Sequence, residues 1–359
     1  MTVYKGRNSF LHLMQSVKSE FPKRIFCVTG KKSFTHSPAR DIISSLFQSQ
    51  QITFFSDFSA NVKFAEALAG CRNFFASGAD TIIAVGGGSV IDMAKIIRVG
   101  APDKGALLKI IKGESRIESK AKLYCAPTTA GSGSEATHFA VIYIDGAKFS
   151  LAHEKILPDS VAVDSALSAS MSPYLTACSG FDALSQAIEA CWAKGSTSES
   201  RKFSKQAMAL VLPHICDAVH CPTIEIRDSM AEGSYLAGKA INIAKTTAPH
   251  ALSYYLTANF SIPHGHAVAI LLGHFFQVNE ENTPSEIYAM LGKRSASECC
   301  FFWYELMKKC SLETNLSKLG VNPDNIGEMI DSVNLERLSN NPVFLSKTAL
   351  QEAVTNFFT

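Results

Sequence analysis

Two kinds of hydrophobic spacing alternate along the first 150 residues. Short β-branched or aromatic runs predict strands: RIFCVTG (24–30), QITFFSDF (51–58), the front of DTIIAVGGGSVIDMAKII (80–97), and the front of AKLYCAPTTAGSGSEAT (121–137). Between them, ARDIISSLFQS (39–49) and VKFAEALAGCRNFFASG (62–78) carry apolar residues at helical spacing, and Gly78 supplies a helix stop. Such alternation predicts parallel strands joined by crossover helices, an α/β sheet. VIYID and AKFSLAH, within 141–153, predict a further β-hairpin. Past about residue 159 the pattern changes. Apolar residues recur at helical spacing through 173–220, 228–258, 264–278, 299–320 and 347–358, and strand signals fade. The reading is an α/β domain with a parallel sheet over 1–158 and an all-α domain over 159–359, joined near LPDSVAVDSAL (157–167).

The bulk numbers narrow the class. A chain of 359 residues, 47% hydrophobic, is long enough for two cores. A net charge of +2 gives no footprint for nucleic acid. Ten cysteines without a Cys-x-x-Cys pair argue against structural zinc and read as free thiols in a reducing cytoplasm. MTVYKGRNSFLHLM lacks a signal-peptide core, and no uncharged apolar run reaches membrane-spanning length. The expectation is a soluble cytoplasmic protein without a membrane or nucleic-acid partner.

AVGGGSVIDMAK places Gly86, Gly87 and Gly88 after a buried strand and before a helix. Glycines let a backbone approach an anion, and the first helical N–H groups attract it. Ser89 can add a hydroxyl or cap the helix. The motif is neither G-x-G-x-x-G nor a P-loop, and a tight structural turn is the plain alternative. A second loop, PTTAGSGSE (127–135), also follows a strand. Two such loops at the carboxyl ends of parallel strands mark where open α/β sheets bind nucleotides. Asp57, closing its strand, either takes the ribose hydroxyls or caps its own loop.

The stretch KTTAPHALSYYLTANFSIPHGH (245–266) concentrates polar chemistry in an apolar chain. Pro249 and Pro263 put His250 and His264 on separate segments. In SGFDALSQAIEACWA (179–193), Asp182 is read in the first helical turn, among apolar positions. A cation would explain a carboxylate there, and so would N-capping. Two histidines and an aspartate from three helix ends can form an open metal site.

Taken together, GGGSVIDMAK, PTTAGSGSEAT, FDALSQAIEA and PHALSYYLTANFSIPHGHAVAILL, in that order and spacing, resemble the iron-containing (group III) alcohol dehydrogenases. The resemblance spans nearly the whole chain. It implies a dinucleotide-binding domain and a helical domain, with metal and nicotinamide meeting in a cleft. Gly86 to Ser89 would hold the pyrophosphate of NAD(H) or NADP(H), and Thr128, Thr129, Ser132, Asp92 and Lys148 would join the cofactor set. Metal ligands in the family are an aspartate, a histidine four residues on, and two histidines fourteen apart. Asp182, His250 and His264 match, while Gln186 stands at the second position, a weak neutral ligand for Fe²⁺ or Zn²⁺. Tyr254 stands where many members carry a proton-relaying histidine, so Tyr254 and His264 are the candidate catalytic residues. Some members of the family are dimers or larger, so the resemblance admits a homo-oligomer, although no stretch of this sequence shows an interface.

Before the first metal histidine the family pattern is small and glycine-rich, whereas this chain has Lys245, Thr246 and Thr247. A lysine with two hydroxyls suits an anionic aldehyde or alcohol, with His266 assisting. GKAINIAKTTAPHALSY resembles the phosphonoacetaldehyde reductase branch, which implies formation of 2-hydroxyethylphosphonate. The alternatives are a general short-chain alcohol dehydrogenase, a dehydroquinate-synthase-like or glycerol-1-phosphate dehydrogenase relative, and a nucleotide-binding protein without turnover. Maleylacetate-reductase-like enzymes lack a metal, and the Asp182, His250 and His264 set argues against that reading.

Overall fold

The computed structural model describes residues 1–333 and 338–355. By its internal contacts the chain forms two compact units, Met1–Met171 and Ser172–Thr359.

The first unit holds β1 (Thr2–Lys5), β2 (Ile25–Thr29), β3 (Ile52–Phe55), β4 (Thr81–Gly86), β5 (Lys122–Pro127), β6 (Phe139–Ile144), β7 (Ala147–Ala152) and β8 (Ser160–Val163). Its helices are α1 (Ser9–Ser19), α2 (Lys31–Thr35), α3 (Ala39–Leu46), α4 (Phe64–Ser77), α5 (Gly88–Val99) and α6 (Lys104–Ile111). Six strands form one sheet in the order β1-β8-β5-β4-β2-β3, every neighbouring pair parallel. Both faces are covered, which is why β2 and β4 read as unbroken apolar runs. On one face Ile25 and Cys27 pack against Phe10, Leu13 and Ile43 from α1 and α3. On the other, Phe26 meets the rings of Phe55 and Phe74.

β6 and β7 form the antiparallel hairpin read from the sequence. Its turn is Asp145-Gly146, both at positive φ, the pair a type I′ turn selects. Two strands differ from the sequence reading. The N-terminal TVYK is an edge strand, and the strand SVAV lies between it and β5 in the sheet. β8 and the short turn after it therefore belong to the first unit, and the division falls at Met171 rather than at 158.

The second unit is all helix among its described residues: α7 (Pro173–Trp192), α8 (Ser198–Val211), α9 (Ile215–His220), α10 (Ile224–Ala244), α11 (Ala248–Phe260), α12 (His264–Val278), α13 (Ser285–Leu291), α14 (Ala296–Lys309), α15 (Ile326–Asp331) and α16 (Lys347–Thr355). α7 is its axis. Every residue from Thr176 to Trp192 is buried, with α8, α9, α10, α12 and α13 packed around it. A helix enclosed on all sides must be apolar on all sides, so its few polar residues stand out. These are chiefly Ser179, Asp182, Ser185, Gln186 and Glu189.

Candidate metal centre and nucleotide loops

Asp182 sits in the middle of α7. The helix starts nine residues earlier, where Ser172 accepts a hydrogen bond from Leu175 N–H and Pro173 takes the first position. This corrects the first-turn placement and removes N-capping as the reason for the carboxylate. The bare Cα of Gly180 lets Met230 and Ile215 pack against the helix, since a Cβ there would lie 2.8 Å and 2.9 Å from them.

Helix α11 brings His250 into its first turn, behind Pro249, and α12 opens on His264. The ligand atoms of Asp182, His250 and His264 lie within 4.8 Å of one another. His250 Nε2 is 3.3 Å and His264 Nε2 is 3.9 Å from Asp182 Oδ1. Asp182 Oδ1 and His250 Nε2 are buried, and neither makes an aligned hydrogen bond. Two such atoms aimed at one point are costly unless a cation sits between them. One carboxylate and two imidazoles are also the donor set that suits Zn²⁺ or Fe²⁺, so the residues present fit a divalent metal. His264 is the more exposed member and opens the cluster on one side.

Electrostatics tighten the group. Burial pushes the Asp182 carboxyl up, but His250 and His264 more than offset this and hold it below the usual carboxylate range. Burial pulls His250 down, yet Glu189 and Asp182 raise it to about 9. Gln186, one turn after Asp182, is buried and hydrogen-bonds to its carboxylate. The Tyr254 ring stacks on His264, centroids 5.4 Å apart and planes within 4°.

Gly265 explains how α12 comes so close to α7. A Cβ there would lie 2.0 Å from the Cys178 carbonyl oxygen and 2.9 Å from Asp182 Cβ. Only glycine lets the helix start reach this depth and carry His264 to Asp182.

The Lys245–Thr247 turn divides the expected substrate residues. Lys245 is exposed, with φ 60° and ψ 178°, a backbone region that is nearly exclusive to glycine. Clamps on either side hold it there. Asn340 Nδ2 donates to Ala244 O and Thr246 O, both at 2.9 Å, and Glu189 accepts from Thr247 N–H at 2.9 Å.

Thr247 itself corrects the expectation that it faces substrate. It is fully buried, its hydroxyl donates to Glu189 Oε1 at 2.8 Å, and Trp192 Nε1 donates to that hydroxyl at 3.0 Å. His266 is a second correction. It is buried, with Nε2 2.7 Å from Glu313 O and Nδ1 3.1 Å from the Tyr174 hydroxyl, so both ring nitrogens are engaged within the protein.

Glu189 drew no attention in the sequence, although it is fully buried and both its oxygens accept hydrogen bonds. The signal was present. It lies seven residues after Asp182, two turns on along the same helix face.

In the first unit, β4 runs through Gly86 into α5, whose N-cap is Gly87 and whose first turn holds no acid. The second loop lies against it. Thr128 N–H donates to Gly86 O at 3.0 Å. A Cβ on Gly87 would meet Thr129 Cγ2 at 3.3 Å, and one on Gly88 would meet Ser132 Oγ at 2.7 Å. The two loops thus form one cradle at the carboxyl ends of β4 and β5, open only because the glycines lack side chains. The buried Thr128 hydroxyl has no partner there, and these residues fit a dinucleotide phosphate.

Ser89 neither caps α5 nor stands apart, since its hydroxyl accepts from Asn61 N–H at 3.2 Å. Asp92 is corrected from cofactor contact to loop support. Its two oxygens accept from the Ser134 hydroxyl at 2.5 Å and from Val141 N–H at 3.0 Å. Lys148 is half-buried on β7, within electrostatic reach of Asp92. Asp57 lies two residues past β3, exposed and paired with Lys31 at 2.9 Å.

The iron-containing alcohol dehydrogenase model matches residues 1–165, and the Fe-containing alcohol dehydrogenase family C-terminal model matches residues 176–357. The chain belongs to the iron-containing alcohol dehydrogenase family.

Among its relatives, the probable alcohol dehydrogenase EutG of Escherichia coli is 35% identical over 56% of this chain and 52% of its own length. A phosphonoacetaldehyde reductase of Streptomyces viridochromogenes is 31% identical over 58% of this chain and 55% of its own. Each match therefore spans about half the relative's length. The sulfoacetaldehyde reductase of Bifidobacterium kashiwanohense, solved in complex with NAD+, superposes with a TM-score of 0.91 at 26% identity, covering 99% of this chain and 96% of that one. No helix among the described residues is long and apolar enough to cross a membrane.

Proposed function

We propose that the protein is a metal-dependent, NAD(P)H-linked aldehyde reductase, acting on an anionic two-carbon aldehyde and, for this chain, phosphonoacetaldehyde. The observation that carries the substrate class is Lys245. A lysine held in backbone territory that favours glycine, clamped on both sides and yet exposed, is strain kept for a use. The clamp is chemically tied to the metal centre, because Glu189 binds both Thr247 and His250. Two relatives are named for phosphonoacetaldehyde and sulfoacetaldehyde, each an aldehyde bearing an anionic group one carbon away.

Asp182, His250 and His264 would hold Fe²⁺ or Zn²⁺, with Gln186 as a fourth neighbour. A bound cation would supply Lewis-acid polarisation of the substrate oxygen, and a bound nicotinamide the hydride. The chain's own residues do the rest. Gly86, Gly87, Gly88 and the Thr128–Ser132 loop orient the cofactor phosphates. Lys148 supplies a further positive charge for the cofactor, and Asp57 an acid for the ribose. Lys245, with Thr246 beside it, binds the phosphonate. Tyr254, stacked on His264, exchanges the alcohol proton through its hydroxyl. The ten free cysteines support a reducing, cytoplasmic setting.

Oxidation of NADH and NADPH with phosphonoacetaldehyde beside propanal, with Fe²⁺ or Zn²⁺ added, tests the reading. Strong preference for the phosphonate supports it, and equal or greater turnover of propanal leaves a general alcohol dehydrogenase. Lys245→Ala should raise KM for the anionic aldehyde about 10- to 100-fold, the worth of one charge-assisted contact of roughly 1.5–3 kcal/mol, with little change for propanal. Similar effects on both substrates would remove Lys245 from the substrate site. Gly88→Val places a branched side chain against Ser132, and should weaken NADH binding by more than about tenfold in titration calorimetry while leaving metal content unchanged. Binding at wild-type strength would take the pyrophosphate off this loop.

A further inference from the structure

We infer that Glu189 is the positioning residue of the metal centre: it holds the His250 ring with Nδ1–H turned inward and so directs the Nε2 lone pair at the cation. The inference rests on the metal reading above.

Glu189 is fully buried. Its Oε1 accepts from Thr247 N–H at 2.9 Å, the Thr247 hydroxyl at 2.8 Å and His250 N–H at 3.4 Å, and its Oε2 pairs with His250 Nδ1. Thr247 is the N-cap residue of α11, but its side chain does not cap the helix. The carboxylate of another helix takes the free N–H groups instead, where a negative charge is favoured. One side chain thus sets both where α11 begins and how its first-turn histidine is turned.

The arrangement requires a group that accepts at both oxygens. Backbone N–H groups can only donate, so whatever occupies the Oε1 position must accept. In Glu189→Gln the amide oxygen is drawn to that position. The amide NH₂ then faces His250 Nδ1 and, as a donor, forces the proton onto Nε2. That is the atom 3.3 Å from Asp182 Oδ1, and once protonated it has no lone pair for a metal. The substitution changes size very little, so the main change is the direction of one hydrogen bond.

The experiment measures Zn²⁺ affinity by competition with a chromophoric chelator, for wild type and Glu189→Gln. Histidine ¹⁵N NMR of the zinc-loaded wild type is recorded in parallel, with His250 assigned by its loss in His250→Asn. The expected results are affinity about 10- to 100-fold weaker in Glu189→Gln, and a His250 ring carrying its proton on Nδ1. Wild-type affinity in the variant overturns the inference. So does a zinc-loaded wild type whose His250 carries the proton on Nε2, an observation that does not require Glu189→Gln to fold. A wild type that binds no zinc sinks the metal reading itself and the inference with it. Zinc bound by both proteins with equal affinity sinks the inference alone.

Discussion

Asp182→Asn should abolish reductase activity to within background and strip the protein of tightly held metal. Among the described residues Asp182 is the only carboxylate in the ligand cluster, and both histidines face it. A neutral amide loses the charge that attracts the cation and can turn an NH₂ toward it. Metal-assisted polarisation contributes several kcal/mol to carbonyl chemistry, so kcat/KM should fall by about 10³-fold or more. The fold should survive, because the amide keeps the shape of the side chain and the surrounding helix packing is apolar. Metal analysis of the purified variant, with kcat/KM measured under added Fe²⁺ or Zn²⁺, checks the expectation. Activity within tenfold of wild type at normal metal content would show that the chemistry lies elsewhere.

Gly265→Ala should be nearly as damaging through packing alone. The added methyl would sit 2.0 Å from the Cys178 carbonyl oxygen, a backbone atom inside a buried helix that cannot turn aside. The start of α12 must retreat from α7. Overpacking of this kind costs about 3 kcal/mol, roughly 6–12 °C in melting temperature for a unit of this size. His264 is the adjacent residue and moves with the backbone, so metal affinity should fall together with stability. Gly327→Ala is the control. It meets nothing within 4 Å and has ordinary backbone angles, so its melting temperature should stay within about 2 °C, the range of a neutral surface change. A Gly265→Ala protein with wild-type stability and metal content would show that the close approach of α12 is not needed.

Much of the architecture was legible because its residues obey local rules. IFCVT and TIIAVG are buried on both faces, so their apolar runs are continuous, and the Asp-Gly pair at 145–146 selects its own turn. Pro249 and Pro263 mark the starts of the two histidine helices, because proline costs nothing at a helix start and much inside one. TVYK and SVAV were harder. Four residues are too few for a periodicity, and both owe their strand state to the neighbours they pair with.

The candidate site divides in the same way. Asp182, His250 and His264 stood out because polar residues in apolar surroundings need a reason. Thr247 and His266 stood out equally, yet they satisfy other buried groups. Thr247, His250, His264 and His266 share one stretch of sequence and Asp182 lies far from it, so spacing could not say which atoms each would face. Glu189 was lost among the ordinary acids of a helix, since burial is set by α8, α10 and α12 rather than by α7 itself.

By itself the sequence determined the two-part organisation and the glycine loops after their strands, and it offered Asp182, His250 and His264 as candidate metal ligands. Each follows from periodicity, proline and glycine geometry, or the cost of burying charge. Only the tertiary structure decided that α7 is enclosed on every side, that Gly265 brings α12 against it, and that Lys245 is held at φ 60° by Asn340 and Glu189. Those outcomes depend on contacts between residues as far apart as 189 and 247 or 244 and 340. No local pattern encodes such contacts, because they exist only once the helices have packed.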